Sequence, residues 1–430
     1  LELTFGVSTT VIGVLTAVQV IVTAVSAVVW GYLSDSRARK NLLLIGTVIW
    51  SAAMALSGFT DSFPVLLLAQ VIAGVGLGSV ASVGFSVVSD FVTTARRGIA
   101  LSLWGLSQGV GTLVGSLLAS QAGAVSHAPP FYVIAGAGVV FGALYVFTFD
   151  PPRGYREPEL RALHDSGETY DHTITPDQTR QVANVQTNLW LVLQGLTAQV
   201  AYGSLIWVPL LYQEKVIAQG YTPETGQKVG GLFAALFTVG ALFSILAGHI
   251  GDRWQRRNLS GRAYVSAVGI LGAIPFFLVF FWVPLTGLEV TEGASTATYL
   301  TEVLTALVTN PWVAAAFLSA VAALALTSAD SPNWFALISD VNLPEHRGTV
   351  FGVGNLVNGI GRGVGTALTT ATADTLQKHL APPLNLALSL SLFQVFFLPT
   401  GWCYWRASKT CPDDIEHVRA VLRARGGVTE

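Results

Sequence analysis

Eleven apolar runs, each about as long as a bilayer is thick, punctuate this sequence. They fall at about 8–33, 41–59, 64–89, 98–120, 130–149, 186–212, 229–250, 263–284, 312–339, 349–370 and 384–405. Roughly 20 apolar residues cross the hydrocarbon core as a helix. Lipid offers the backbone no hydrogen-bond partner, so a lipid-exposed run of this kind must satisfy its own N–H and C=O groups by being helical. The composition agrees: 52% of the 430 residues are hydrophobic and 11% charged, against about 25% charged in an ordinary soluble domain. The expected fold class is therefore an all-α polytopic membrane protein with eleven spanning helices.

Basic residues orient it. With the "GYLSDSRARK" turn (31–40) on the cytoplasmic side, the loops on that side carry 19 of the 23 Lys and Arg; the other four are Lys215, Lys228, Lys378 and Arg362. Such an excess marks the cytoplasmic face. The chain begins at Leu1, and an odd number of spans leads to the expectation of one further helix ahead of it. No basic stretch precedes the first apolar run, so it does not read as a signal peptide. Cys403 and Cys411 fall at the inner end of the last run and in the tail, where thiols stay reduced, so no disulfide is expected.

The charged turn recurs. Gly31, Asp35, Arg39 and Lys40 match Gly248, Asp252, Arg256 and Arg257 of "GHIGDRWQRR" at a constant offset of 217. A thirty-residue stretch from Ser89 aligns without gaps on the stretch from Ser339, at an offset of 250, with ten identities that include Asp90, Arg97 and Gly98 against Asp340, Arg347 and Gly348. The chain thus reads as two copies of one membrane unit. An outer insertion at about 285–310 separates the two offsets. The expected division is a first bundle at 1–149, a polar cytoplasmic linker at 150–185, a second bundle at 186–406 and a cytoplasmic tail at 407–430. In the tail, Ile415, Val418, Val421 and Leu422 have the spacing of a short amphipathic helix lying along the membrane face.

Two parallel membrane halves, each with a G-x-x-x-D-x-x-x-R-[RK] turn after its second helix, resemble the major facilitator superfamily. That resemblance implies two pseudosymmetric six-helix bundles, one lacking its first helix here. Within the superfamily, "SPNWFALISDVNLPEHRGT" (331–349) is similar to the spinster-like lipid and organic-anion transporters. The "GVGLGS" stretch at 74–79 lies inside an apolar run, where small residues serve close helix packing rather than dinucleotide binding.

The charged turns read as a conformational latch. Asp35 is placed to face the helix starting near Gly348, whose free N–H groups favour an anion. Arg39 has a natural partner in Asp90. By the repeat, Asp252 faces the helix beginning at Gly98, and Arg256 pairs with Asp340. The latch set is Gly31, Asp35, Arg39, Asp90 and Arg97 with Gly248, Asp252, Arg256, Asp340 and Arg347. Such contacts exist only while the cytoplasmic side is closed, so breaking them opens the protein inward.

The expected site for substrate or coupling ion is lined by Gln19, Gln70, Trp104 and Gln108 from the first half. The second half adds Gln194, Gln199, Tyr202, Asp330, Asn333, Trp334, Asn355, Asn358 and Arg362. Asp330 stands ten residues inside the Asp340 boundary, about 15 Å deep at 1.5 Å per residue. Arg362 is about 22 Å beyond Arg347 by the same count. Charges at such depth normally face a partner or a water-filled cavity. Their repeat equivalents are Val80 and Thr112, so the architecture demands a charge at neither place. Asp330 and Arg362 therefore read either as an ion pair between two helices or as the centre that binds substrate and carries protons.

The expected function is secondary active transport, by alternating access and coupled to protons, of a small organic or amphiphilic solute. The alternatives are a facilitative uniporter and a spinster-type exporter of lysolipids or organic anions. An intramembrane enzyme would need catalytic groups at membrane depth, whereas the seven histidines lie near span ends, in loops or in the tail, without an H-E-x-x-H or G-x-S-x-G pattern. A channel or receptor would show no saturable counterflow. The expected partners are a small-molecule or lipid-like substrate, protons and membrane lipids, with no nucleic acid, cofactor or metal. The expected setting is a monomer in a prokaryotic inner membrane.

Overall fold

The computed structural model describes residues 5–7, 9–96, 99–100, 103–107, 110–111, 114–115, 126–150, 152, 154–160 and 185–425. Among these it is helical, without strands. The first half holds α1 (Thr9–Ser36), α2 (Arg39–Phe59), α3 (Phe63–Ser79), α4 (Phe85–Phe91) and α5 (Ala128–Val146). The second half holds α6 (Gln186–Ser204), α7 (Val208–Ile217), α8 (Pro223–Phe237), α9 (Ser244–Gln255), α10 (Gly261–Trp282), α11 (Thr296–Thr309), α12 (Pro311–Thr327), α13 (Asp330–Asp340), α14 (Arg347–Leu376), α15 (Leu384–Gln394) and α16 (Phe397–Arg425).

Nine helical stretches among the described residues are long and apolar enough to cross a membrane, several of them made of two consecutive helices such as α12 with α13. The 30 residues of α14 form a tenth helix of membrane length, made more polar by Asn355, Asn358 and Arg362. About half of the run at 98–120 lies outside the described residues, and with it much of the repeat's first copy opposite 348–368.

The repeat is visible where its two copies touch. Phe85 stacks on Phe335 with ring centroids 3.7 Å apart, and Ser89 Oγ lies 2.8 Å from Ser339 Oγ. Both are pairs of repeat equivalents, 250 residues apart, so the pseudo-twofold axis runs between α4 and α13. The same spans are interrupted at matching places. A single π-helical turn, Val80–Gly84, separates α3 from α4, and α12 gives way to α13 at Ser328 and Ala329. Such interruptions leave backbone carbonyls outside the regular ladder. Asn355 Nδ2 donates to one of them, Ala81 O, at 2.6 Å.

The tail differs from its expected form. Helix α16 runs unbroken through Arg425, including Pro412, instead of giving way to a separate surface helix. Its end turns Val418 and Leu422 onto Leu160 of the linker and Leu343 of the α13–α14 turn. Arg425 pairs with Glu345 at 2.6 Å. The apolar positions that suggested a membrane-lying helix bury against protein.

Candidate functional site

At the face that carries the charged turns, the two halves are held together in layers. Uppermost is an aromatic floor, in which Phe85 and Phe335 stack with Phe351 5.7 Å and 5.8 Å away and Trp334 packed edge-on at 4.8 Å. One turn further out is the Ser89–Ser339 contact. Beyond it lies a network of buried charges.

Asp35 sits at the N-terminus of α14. Its carboxylate accepts from Gly348 N at 2.9 Å and Thr349 N at 2.7 Å, and from the Thr349 hydroxyl. Two otherwise unpaired helix donors and the positive end of the helix dipole thus hold an anion from the opposite half. The approach requires glycine. A Cβ on Gly31 would stand 2.3 Å from Gly348 O, and one on Gly348 would stand 2.6 Å from Asp35 Oδ1. Asp90 is shared by two arginines, Arg39 of its own half and Arg347 of the other, the latter at 2.8 Å. Arg347 also donates to Glu157 in the linker at 2.5 Å and to Ser339 O at 3.0 Å. A carboxylate between two guanidiniums offsets much of the cost of burying all three groups.

The second copy is wired differently. Asp252 accepts from Ile99 N at 3.2 Å, the counterpart of Asp35 on α14. Arg256, however, does not pair with Asp340 and instead donates to Ala95 O at 2.9 Å. The guanidinium joining Asp252, at 2.7 Å, to Asp340 belongs to Arg262, which is fully buried. The cause is loop length. Helix α2 starts at Arg39 itself, whereas the second turn runs on to Ser260 before α10 starts at Gly261. The arginine occupying the helix-start position is therefore Arg262, six residues beyond the repeat partner of Arg39. Gly248 is buried on α9; Arg97 lies outside the described residues.

Above the aromatic floor is a cavity of about 670 Å³ between the halves. Gln19, Thr23, Ala24, Ala27, Leu77, Ala81 and Phe85 face it from the first half. The second half supplies Gln194, Gln199, Tyr202, Asp330, Trp334, Asn355, Asn358 and Arg362, eight of its nine expected site residues. Asp330 is 7% exposed. Its Oδ1 accepts from Gln194 Nε2 at 2.8 Å and from the Tyr404 hydroxyl at 2.5 Å. Trp334 is fixed by donating to Leu191 O at 2.9 Å. Arg362 is exposed on the cavity wall, its backbone pressed on α6 where a Cβ on Gly203 would lie 2.4 Å from Arg362 O. No ion pair joins Asp330 to Arg362 among the described residues, so the interhelical salt bridge expected as one reading is absent. The carboxylate is held by neutral donors and the guanidinium faces open cavity.

This geometry, with two halves closed over each other at one face beneath a central cavity, meets a decisive sequence match: the model of the Major Facilitator Superfamily covers residues 1–366. The chain belongs to the Major Facilitator Superfamily. Its curated relatives include the sphingosine-1-phosphate transporter SPNS2 of Danio rerio, 25% identical over 64% of this chain and 56% of the relative. Protein spinster homolog 1 of Homo sapiens is 29% identical over 64% of this chain and 52% of the relative. The chain spans about half the length of the curated relatives it matches. Among solved structures, the E. coli fucose:proton symporter aligns with a TM-score of 0.64 at 14% identity, covering 92% of this chain and 90% of that one. The human organic anion transporter MFSD10 aligns at 0.52 and 17%, covering 91% and 83%. This facilitator is a multi-pass membrane transporter of that superfamily, and the relatives named above are spinster-type proteins.

Three expected site residues of the facilitator are not on the cavity wall. Gln70 is buried and donates to Ser57 Oγ at 2.9 Å, tying α3 to α2. Asn333 is fully buried behind α13 and packs on Gly251 of α9. Trp104 lies against Phe85, 4.9 Å between ring centroids, and so backs the floor. Gln108 lies outside the described residues. For Gln70, Asn333 and Trp104, a polar or aromatic residue within an apolar run did not show which face of the helix turns inward. Tyr404 and Arg262 were missed. The signal for Arg262 was a lone arginine at the start of an apolar run; Tyr404 carried no signal distinct from an interfacial tyrosine.

Proposed function

We propose that this transporter moves an amphiphilic organic solute carrying an anionic group by alternating access, with the anionic group on Arg362 and proton movement through Asp330. The observation carrying this reading is that, among the described residues, a buried carboxylate without a cation and an exposed guanidinium without an anion line one cavity. An anion is attracted to Arg362, and the apolar wall of Ala24, Leu77, Phe85 and Phe335 accommodates an apolar body. Protonation of Asp330 removes a charge whose burial is costly, so the proton state of the cavity biases which conformation is favoured. The SPNS2 relative is a sphingosine-1-phosphate transporter, which supports an amphiphilic cargo.

The closure at the charged face is the latch of this cycle. While Asp35 caps α14 and Asp252 meets Ile99 N, solute leaves only by the opposite face. We assign the charged face to the cytoplasm of a prokaryotic cell, a first bundle to 1–149, a linker to 150–185, a second bundle to 186–406 and a tail to 407–430, the whole working as a monomer. One observation favours facilitative uniport instead: Gln194 and Tyr404 already stabilise a charged Asp330. Counterflow in liposomes with labelled sphingosine 1-phosphate, a lysolipid, an organic acid and fucose tests the reading. Saturable counterflow of an anionic amphiphile, lost in Arg362→Ala, is expected; fucose flux with unchanged kinetics in that variant would overturn it.

A further inference from the structure

The second half carries a helix for which the repeat has no counterpart. Helix α11 lies in the insertion between two spans, and its surface divides into three strips. At about 100° per residue, Tyr299, Val303, Ala306 and the following Asn310 share one strip, which is buried against the protein. Leu300, Leu304, Leu307 and Val308 share the next. Leu300 is 38% exposed, Leu304 45% and Val308 88%. The third strip is polar: Thr298, Thr301, Glu302, Thr305 and Thr309. A helix that needed only protein and water as neighbours would not require an exposed apolar strip between its buried and polar faces.

Its attachment fixes where that strip can be. Span α10 ends at Trp282 and span α12 starts at Pro311, with one residue, Asn310, between it and the end of α11. Asn310 forms the corner, its Oδ1 accepting from Trp312 N at 2.9 Å and Val313 N at 3.2 Å while its Nδ2 donates to Thr286 O at 3.0 Å. The N-terminal end is held as firmly. Ser295 Oγ accepts from Thr298 N, and Glu302 accepts both the amide and the hydroxyl of Thr291. A rigid helix tethered at both ends to membrane-spanning segments cannot leave the bilayer surface. On its buried side it packs against α8 and α12.

We propose that α11 lies in the headgroup layer of the leaflet opposite the charged turns, with Leu300, Leu304, Leu307 and Val308 on acyl chains and Thr298, Thr301 and Thr305 toward water. The partner is the bilayer itself, and the strip suits it because a helix with distinct apolar and polar faces binds the interface in that orientation. Through Asn310, α11 pins the outer end of α12, the first part of the span that carries Asp330, at a fixed depth. The inference is independent of the transported solute.

Nitroxide labels on Leu304→Cys, Val308→Cys, Thr298→Cys and Thr305→Cys, in phosphatidylethanolamine–phosphatidylglycerol liposomes, test it by collision with oxygen and with a nickel chelate. The unsubstituted protein sets the background, since Cys403 and Cys411 are buried. The oxygen-to-nickel ratio should be several-fold higher at 304 and 308 than at 298 and 305. Either lipid-facing variant suffices if the other fails to fold. Nickel collision as frequent at 308 as at 305 would put the strip in water, and exclusion of both reagents at 304 and 308 would put it under protein; either result overturns the proposal.

Discussion

The charged face of this transporter is built twice and its cavity only once. At the face, each half offers an aspartate to a helix start in the other, Asp35 to α14 and Asp252 to Ile99, and repeat equivalents such as Ser89 and Ser339 meet on the axis. In the cavity the symmetry stops. Both halves interrupt a span at the same place, but the first half has Val80 there and the second has Asp330. The contrast teaches which features belong to the machine and which to the cargo. A closure that must form and break between two bundles is served by repetition, whereas a site that holds one solute needs different groups on its walls.

The sharpest way to break this comparison is to remove single arginines from the closure. Asp252 and Asp340 share Arg262, so Arg262→Ala leaves two buried carboxylates without it, and breaking a buried pair in this way costs about 3–5 kcal/mol. Arg39→Ala should cost less, because Asp90 keeps Arg347. Arg256→Ala should cost least, under about 1 kcal/mol, since it forfeits one exposed hydrogen bond. Thermal unfolding of the three detergent-purified variants checks the order Arg262, Arg39, Arg256. Were Arg256 the most costly, the second half would be wired as the first is.

That order was not legible in the sequence, although much around it was. Hydropathy is a one-dimensional property, so the spans could be read directly, and a constant spacing exposed the repeat. The Asp35 contact followed because the helix start at Arg347–Gly348 is marked by the repeat itself. Arg256 was chosen over Arg262 because alignment counts residues, while the guanidinium that reaches Asp340 is selected by where α10 begins. Gln70 and Asn333 failed for a related reason: only packing decides whether a polar residue in an apolar helix turns to a hydroxyl such as Ser57, against a glycine such as Gly251 or into a cavity. The carboxylate of Asp330 was legible as an exception to the repeat. Its partner Tyr404, from a different helix, was not.

A milder perturbation sharpens the comparison in the first half alone. Asp35→Asn keeps a side chain that can cap α14 but removes the charge and one acceptor. A loss of about 1.4 kcal/mol would shift the closed population tenfold. Accessibility labelling on the charged face should report a larger open fraction, with membrane insertion unchanged. An unchanged open fraction together with normal flux would remove Asp35 from the latch.

The smallest effect expected is one of pH. His346 lies in the turn before α14, outside the spans, and burial holds its pKa below the ordinary histidine value; Glu345 opposes that shift and Arg425 adds to it. A depressed folded pKa means that the closed form prefers the neutral ring. Closure is therefore unaffected above the unfolded value of about 6.5 and weakens as pH falls through and below it. The melting temperature should fall on acidification in the parent protein and fall less in His346→Gln. Equal slopes would show that His346 is not the responsive group.

The cavity's asymmetry is the central claim, and it is tested most directly at Asp330. In liposomes loaded with the anionic amphiphile that shows counterflow, exchange and gradient-driven flux are measured for the parent and for Asp330→Asn, with and without an imposed pH difference. The account predicts that the variant exchanges substrate but no longer accelerates when the pH gradient is applied. A variant whose flux still follows the gradient as the parent's does would contradict it, and would leave Asp330 as a structural carboxylate held by Gln194 and Tyr404.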